Sequence, residues 1–281
     1  MNVETVDYQD PTARAALHRS LRDTGFAVLA NHPISAERIA DIYDGWGSFF
    51  ASEDKFEFAV QPPRHDGYFA FRSENAKGSP TKDLKEFFHV YPDSPLPEAL
   101  SAATAAIYAD LQALGVELLS WIQRETPDDI RTGFSLPLDE MMADSNQSLL
   151  RILHYPPVEE SEPDAIRAAA HEDINLITLL LSGSKPGLQA KDAKGNWHEI
   201  ACDAGMITIN NGDMLAMTSD NYFPSTTHRV INPDAKQNQS RYSMPMFLHP
   251  RPEVLLKPGT TADDYLQERL TEIGLKPQTA S

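Results

Sequence analysis

The stretch Ala170-His171-Glu172-Asp173-Ile174-Asn175-Leu176 decides the predicted fold of this chain of 281 residues. It opens a segment, residues 170–181, whose apolar and β-branched composition is typical of a strand. Side chains alternate faces along a strand, so we expect His171 and Asp173 on one face and Glu172 on the other. The pattern therefore brings one imidazole and one carboxylate together.

A second imidazole can complete a metal site with this pair. His228 lies in a later predicted strand, within Thr227-His228-Arg229. Two histidines and one carboxylate on one face of an ion leave positions open, which is the arrangement of non-haem Fe(II) sites. Alone, the His-x-Asp pattern is weak, because the chain has nine histidines and a structural histidine also explains it. His171, Asp173 and His228 are candidate iron ligands whose weight depends on the rest of the sequence.

Arg241-Tyr242-Ser243 begins the last predicted strand of the core and carries a possible receptor for a carboxylate. Alternation along the strand puts the guanidinium of Arg241 and the hydroxyl of Ser243 on one face. A buried guanidinium requires an anion, and a carboxylate is its best bidentate partner. A protein Asp or Glu meets this requirement, and so does a bound dicarboxylic cosubstrate. The nearby predicted strands offer few acids, which favours the cosubstrate.

The second half of the chain predicts a β-rich core. Short apolar segments separated by turn residues predict strands over residues 149–154, 174–181, 188–191, 197–201, 206–210, 226–231 and 242–248. The turn Ala193-Lys194-Gly195-Asn196 indicates antiparallel pairing. Helical spacing predicts helices over residues 11–24, 35–50, 100–124 and 261–270. We therefore predict a single domain, 1–281, with a helical and strand support region (1–148), a β core (149–250) and a C-terminal helix and tail (251–281).

The composition restricts the partners and the compartment. Lys and Arg number 24 against 41 Asp and Glu, a net charge of −17, so we expect neither nucleic acid nor an anionic membrane as a partner. The N-terminus lacks a signal-peptide pattern, and the unbroken apolar stretches are shorter than a spanning helix. One cysteine, Cys202, excludes an internal disulfide and fits a reducing compartment. A cytoplasmic monomer that binds a small molecule is the simplest expectation.

Taken together, these motifs resemble the isopenicillin N synthase-like branch of the Fe(II)/2-oxoglutarate-dependent oxygenases. The resemblance covers almost the whole chain. Besides His-x-Asp, the distal histidine and the Arg-x-Ser motif, it is carried by residues 24–34 (a Gly-Phe pair leading to Asn-His), Gly67-Tyr68, 83–87, 151–157 (ending in Tyr-Pro-Pro) and 210–215 (Asn-x-Gly-Asp). It implies a mainly β fold with helical decoration: a double-stranded β-helix (jelly-roll, cupin-like) core, an N-terminal α/β segment and a C-terminal helix.

The resemblance also implies the chemistry and the site residues. His171, Asp173 and His228 would bind Fe(II), while Arg241, Ser243 and Tyr155 would bind 2-oxoglutarate. The enzyme would be a dioxygenase that uses O2 to hydroxylate, desaturate or cyclise a small molecule, with release of succinate and CO2. Two alternatives stay open: an iron oxidase of the same fold that does not use 2-oxoglutarate, and a non-catalytic jelly-roll binding protein. Measurement of succinate formation distinguishes the 2-oxoglutarate-dependent enzyme from the oxidase. Oxygen consumption by a His171→Ala variant distinguishes either enzyme from a binding protein, because only an enzyme would lose it.

Some other residues have weaker assignments. Many relatives have Asn two residues before the Tyr of Tyr-Pro-Pro, whereas this chain has Leu153, so one polar contact near the cosubstrate is lost. Asn175 and Arg72 are candidates for substrate contact, Asn175 because alternation turns it inward. We interpret four other side chains as structural or as without a catalytic role: His154, His198, His249 and Cys202.

Overall fold

The computed structural model describes residues 1–62, 64–74, 82–158, 167–181, 185–200, 203–233 and 238–272. Its helices are α1 (Ala13–Thr24), α2 (Ala36–Ala51), α3 (Glu98–Glu125), α4 (Asp128–Arg131), α5 (Asp213–Thr218) and α6 (Ala262–Glu272), with 3-10 turns at Glu53–Phe58 and Glu140–Met142. The ends follow local chemistry. The Ser35 side chain accepts a hydrogen bond from the Arg38 N–H at the start of α2, and Gly25 ends α1 at a φ of +73°.

The strands of the described residues form two facing sheets and a separate two-stranded sheet. They are β1 (Thr5–Asp7), β2 (Phe26–Ala30), β3 (Gly67–Phe69), β4 (Glu86–Val90), β5 (Leu149–Tyr155), β6 (Ala168–His171), β7 (Ile177–Leu181), β8 (Leu188–Lys191), β9 (Trp197–Glu199), β10 (Ile207–Asn211), β11 (His228–Val230), β12 (Arg241–Leu248), β13 (Leu255–Lys257) and β14 (Thr260–Thr261). The major sheet has the order β1-β2-β10-β7-β12-β5-β4-β3, the minor sheet has the order β6-β11-β8-β9, and β13 and β14 form the separate two-stranded sheet. This architecture confirms the predicted two-sheet β core.

The two faces of the major sheet have different partners. Its outer face packs against α2 and α3 around fully buried side chains such as Trp46, Phe88 and Leu111. Its inner face meets the minor sheet through two apolar clusters. One contains Phe26, Val28, Leu188, Ala190 and Ile200, and the other contains Phe87, Leu153, Tyr155, Ala168 and Val230. The candidate ligands lie in this inter-sheet space.

The predicted strand over residues 170–181 is wrong in one important respect. β6 ends at His171 in the minor sheet, whereas β7 begins at Ile177 in the major sheet. Residues 172–176 are the link between the two sheets. The alternation of a single strand therefore does not explain why His171 and Asp173 face each other. The sequence does not predict the short helix α5, because its six residues are too few to show a helical period.

Helix α3 is the one described helix that is long and apolar enough to cross a membrane by length and composition. That property is weak evidence for a membrane span, because core helices of globular proteins share it. Here α3 packs against α1, α2, β7 and β12. Gly115 allows close contact with β12, since a Cβ at this position would lie 2.0 Å from a methyl carbon of Leu248. We therefore interpret α3 as the helix that supports the outer face of the major sheet.

Candidate active site

Three side chains from the two sheets and their link converge on one point. His171 ends β6, His228 begins β11 directly opposite it in the antiparallel register, and Asp173 lies in the link to β7. The Nε2 atoms of both histidines lie 3.7 Å from Oδ1 of Asp173, and the three potential ligand atoms all lie within 4.8 Å of one another. This spacing suits three ligands of a single ion.

The two imidazoles are held in the orientation and tautomer that metal binding needs. Nδ1 of His171 donates to the carbonyl of Ala169 (2.8 Å), and Nδ1 of His228 donates to the carbonyl of Thr226 (3.1 Å). Each Nε2 then carries a free lone pair. Although 40% of its side chain is exposed, desolvation within the site and the neighbouring His228 lower the pKa of His171 to about 4, against the opposing effect of Asp173. At neutral pH the ring is therefore uncharged and ready to act as a ligand.

The carboxylate of Asp173 is oriented from behind by two side chains of the major sheet. Its Oδ2 accepts hydrogen bonds from the Thr178 hydroxyl (2.6 Å) and the Asn210 amide (2.8 Å), which leaves Oδ1 directed toward the histidines. Burial alone would raise the pKa of Asp173, but the two imidazoles and these hydrogen bonds lower it. The site thus offers one carboxylate oxygen and two imidazole nitrogens, which fits Fe(II) with positions left for other ligands.

The link that carries Asp173 requires a glycine beneath it. The N–H of Gly212 donates to the Leu176 carbonyl (2.9 Å), and the next N–H, that of Asp213, donates to the Asp173 carbonyl (2.7 Å). A Cβ at Gly212 would lie only 2.1 Å from the Asn175 carbonyl oxygen. The Asn-x-Gly-Asp turn therefore supports the metal-binding link by close backbone contact.

The N-terminal segment supports His228. The Phe26 ring packs edge-on against the His228 ring, with centroids 5.7 Å apart. Thr226, whose carbonyl accepts the His228 hydrogen bond, donates its own hydroxyl to the Thr24 carbonyl (3.0 Å). A Cβ at Gly25 would lie 2.2 Å from the Thr226 hydroxyl oxygen. The Gly-Phe pair seen in the sequence thus packs directly behind the distal histidine.

Arg241, Ser243 and Tyr155 lie together on the inner face of the major sheet. In the antiparallel pair of β12 and β5, Arg241 lies opposite Tyr155, and Ser243 lies opposite Leu153. Arg241 and Ser243 are buried, and the Arg241 guanidinium carbon lies 5.3 Å from the centre of the Tyr155 ring. Leu153 contributes only apolar surface beside Ser243. The structure thus brings the three predicted cosubstrate residues to one wall, and their binding of 2-oxoglutarate stays a prediction.

The guanidinium of Arg241 has unused hydrogen-bonding capacity. Its Nε donates to the Lys185 carbonyl (3.1 Å), but its buried NH1 group has no hydrogen-bond partner. Within the described ranges, no Asp or Glu forms an ion pair with it, so the alternative of a protein salt bridge finds no support there. A buried guanidinium with an unused NH1 group beside a hydroxyl fits a carboxylate ligand.

A buried ion network that the sequence did not predict joins the strand of His171. Lys85 Nζ lies 2.8 Å from a Glu74 oxygen and 2.9 Å from Oδ2 of Asp83, while Oδ1 of Asp83 accepts the N–H of Ala169 (3.1 Å). Burial alone would lower the pKa of Lys85, but the two carboxylates raise it. Residues 83–87 matched a family motif without an assigned role. Their position beside β6 gives them one, which is to hold the strand that ends in His171.

The two substrate candidates have different positions. Asn175 is fully buried, and its amide donates to the Ile177 carbonyl (2.6 Å) and to the Thr178 hydroxyl (3.2 Å). The structure thus gives Asn175 a supporting place behind Asp173. Arg72 lies in an exposed turn with a φ of +62°, where its N–H donates to the Lys85 carbonyl. Contact of either residue with substrate stays a prediction.

The side chains interpreted as structural form hydrogen bonds with residues other than the three ligands. His154 contacts Glu86 and Ser240 and stacks on Tyr242 with centroids 4.7 Å apart. His198 contacts Asp192, and the buried His249 contacts the Phe247 carbonyl. Glu172 is exposed and accepts a hydrogen bond from the Thr227 hydroxyl, as expected for a side chain that turns away from the metal. Cys202 lies outside the described residues.

Comparisons with known proteins agree with this geometry. The model of the 2OG-Fe(II) oxygenase superfamily matches residues 146–250, and a model of the non-haem dioxygenase N-terminal region, named for morphine synthesis, matches residues 3–108. The chain is 30% identical to the proline hydroxylase buaE of Petromyces alliaceus, over 92% of this chain and 90% of that protein.

Two solved structures extend the comparison. A Shewanella oneidensis protein superposes with a TM-score of 0.89 at 50% identity, covering 98% of this chain and all of the other. A Neurospora crassa protein solved with α-ketoglutarate has a TM-score of 0.81 at 24% identity, covering 95% of each chain, and so supports the fold. The predicted family and jelly-roll fold are confirmed, and the chain belongs to the 2-oxoglutarate- and Fe(II)-dependent oxygenases.

Proposed function

We propose that this dioxygenase hydroxylates a small polar metabolite that has an apolar portion, and that it does so as a monomer in the cytoplasm. One observation carries the proposal: the space between the two sheets contains both the iron-binding triad and the buried NH1 group of Arg241, which has no hydrogen-bond partner. Hydroxylation is supported by the relative named as a proline hydroxylase. The single cysteine, Cys202, supports a reducing compartment.

Different residues of the chain would bind the iron and the cosubstrate. His171, His228 and Asp173 would hold Fe(II), and Arg241 with Ser243 would fix the distal carboxylate of 2-oxoglutarate, with Tyr155 beside them. When bound, iron and 2-oxoglutarate together activate O2, and the cosubstrate leaves as succinate and CO2. The protein orients the reacting groups and keeps water away from them. The apolar cluster of Phe87, Leu153, Tyr155, Ala168 and Val230 supplies the dry wall.

The same space supports a substrate with an apolar portion. Phe69 and Phe87 stack with ring centroids 4.6 Å apart and an interplanar angle of 14°, and Phe69 is only partly buried. This aromatic surface suits the apolar portion of a small molecule. Proline and other free amino acids meet this description.

The proposal is tested by succinate release from a panel of small metabolites that includes proline and other free amino acids. The assay contains the purified protein, Fe(II), 2-oxoglutarate and O2, and mass spectrometry identifies whether the product has gained one oxygen atom. Asp173→Asn is expected to abolish turnover, whereas the neighbouring Glu172→Gln is a matched control that is expected to keep it. Oxygen consumption without any need for 2-oxoglutarate would instead support the oxidase alternative. Size-exclusion chromatography with light scattering tests the monomer.

A further inference from the structure

A second buried arginine lies close to Arg241. Arg167 directly precedes β6, is 1% exposed, and its backbone N–H donates to the Asn232 side chain (3.0 Å). One of its terminal nitrogens donates to the Gln239 carbonyl (2.5 Å), two residues before Arg241 at the start of β12. The guanidinium of Arg167 therefore approaches Arg241 from the minor-sheet side.

Both guanidinium groups are incompletely paired. Nε of Arg167 and NH1 of Arg241 are buried without a hydrogen-bond partner. In the part of the chain that the structure describes, neither arginine forms an ion pair with a carboxylate. Burial, followed by the charge of Arg241, lowers the pKa of Arg167 to about 10, and Tyr155 opposes this effect. Two neighbouring cations with unused donors in a dry space are unfavourable unless an anion joins them.

The surroundings identify the position of that anion. Ala168, the residue after Arg167, belongs to the apolar cluster that also contains Tyr155 and Leu153. Tyr155 and Leu153 lie opposite Arg241 and Ser243 on the major sheet. Leu153 can offer no hydrogen bond to a ligand at this wall. A donor from the minor sheet can supply a contact that β5 does not.

We infer that Arg167 and Arg241 form a two-guanidinium cradle, and that Arg167 binds the distal carboxylate of 2-oxoglutarate from the side opposite Arg241 and Ser243. This inference rests on the proposed use of the Arg241 wall by the cosubstrate. It makes the minor sheet part of the cosubstrate site, and it predicts selectivity for 2-oxo acids that carry a second carboxylate over those that do not.

The test measures binding instead of turnover. Isothermal titration calorimetry with Mn(II) in place of Fe(II) gives the Kd of 2-oxoglutarate and of 2-oxobutyrate, which has the keto acid end but no distal carboxylate. The variants are Arg167→Gln, which removes the charge, and Arg167→Lys, which keeps it. Arg229→Gln is the matched control, because Arg229 is a partly buried arginine of the minor sheet whose partners are Gln189 and Trp197.

Arg167→Gln is expected to weaken 2-oxoglutarate binding by about 10- to 100-fold, the range for a hydrogen bond to a charged group. Its Kd for 2-oxobutyrate should stay within about twofold of the wild-type value, and Arg167→Lys should show a smaller loss for 2-oxoglutarate. Because removal of one of two like charges relieves repulsion, the Tm of the ligand-free Arg167→Gln protein should not fall below that of Arg229→Gln. The Tm increase on addition of 2-oxoglutarate should become smaller.

A purely structural role for Arg167 gives different results. Unchanged 2-oxoglutarate affinity in Arg167→Gln, or equal losses for both 2-oxo acids, would overturn the inference. If Arg167→Gln does not fold, an unchanged preference for 2-oxoglutarate over 2-oxobutyrate in Arg167→Lys would overturn it as well. Failure of the wild-type Mn(II) protein to bind 2-oxoglutarate would instead overturn the proposed function, and the inference with it.

Discussion

The hydrogen bond from Thr178 to Asp173 should control the affinity of the metal site. Thr178→Val keeps the shape of this buried side chain and removes the hydroxyl that lies 2.6 Å from Oδ2 of Asp173. A hydrogen bond to a charged group contributes about 1.5–3 kcal/mol, and loss of such an outer partner weakens metal binding by about 10- to 100-fold. Asn210 still holds the same oxygen at 2.8 Å, so we expect a loss near the lower end of this range, about tenfold.

The assay is a calorimetric titration of Mn(II) into the metal-free protein, repeated at two protein concentrations. Thr208→Val is the matched control: Thr208 is 1% exposed on the neighbouring strand β10, and Asp173 receives its hydrogen bonds from other residues. This control should bind Mn(II) like the wild-type protein. If Thr178→Val also binds Mn(II) with wild-type affinity, the reasoning that this hydroxyl orients the carboxylate is wrong.

Three further predictions concern the support of the site. Gly212→Ala should weaken Mn(II) binding and lower the Tm, because the new Cβ would lie 2.1 Å from the Asn175 carbonyl oxygen; an unchanged Tm and Kd would contradict the close contact. Arg241→Gln should raise the KM for 2-oxoglutarate by about tenfold or more, with little change in the Mn(II) affinity, and steady-state kinetics with titration calorimetry measure the two effects separately. Burial lowers the pKa of His89 to about 3 and that of His249 to about 4, both below the unfolded value of about 6.5. The unfolded chain therefore binds more protons between pH 6.5 and 4. The free energy of unfolding of the metal-free protein should fall on acidification through this window, by up to about 1.4 kcal/mol per pH unit for each histidine. Urea titrations at several pH values measure how steeply the free energy of unfolding changes with pH. This pH dependence should be weaker in His249→Gln, and an unchanged dependence would contradict the role given to His249.

Much of the fold could be predicted because its signals are local. The helix that ends at Gly25 and the helix that begins after Ser35 have terminal residues that satisfy backbone groups within one turn. The turn at Gly195 joins β8 and β9 as expected, with a φ of +87°. Each of these signals depends on neighbours within a few residues. They are therefore visible in the sequence without knowledge of the rest of the chain.

The break between His171 and Ile177 could not be predicted in the same way. The composition of residues 170–181 is uniformly compatible with a strand, and a local pattern does not show that the chain crosses from one sheet to the other. His171 and Asp173 meet because the link folds over Gly212, which lies about forty residues further along the chain. The sequence therefore predicts correctly that the two ligands lie together, but it does so from a continuous strand that the structure does not contain.

The sequence by itself determined the chemical identity of the site. His171, Asp173 and His228, together with Arg241 and Ser243, are donors that suit Fe(II) and a carboxylate, and their motifs resemble those of a known family closely enough to find them.

Only the tertiary structure decided how these donors are oriented and charged. The hydrogen bonds of Thr178 and Asn210, the neighbours that lower the pKa of His171, and the approach of Arg167 to Arg241 all depend on residues from different strands. Distance and burial are properties of the packed chain. The His-Glu-Asp sequence therefore identifies the ligands, and the packing of the two sheets makes them a site.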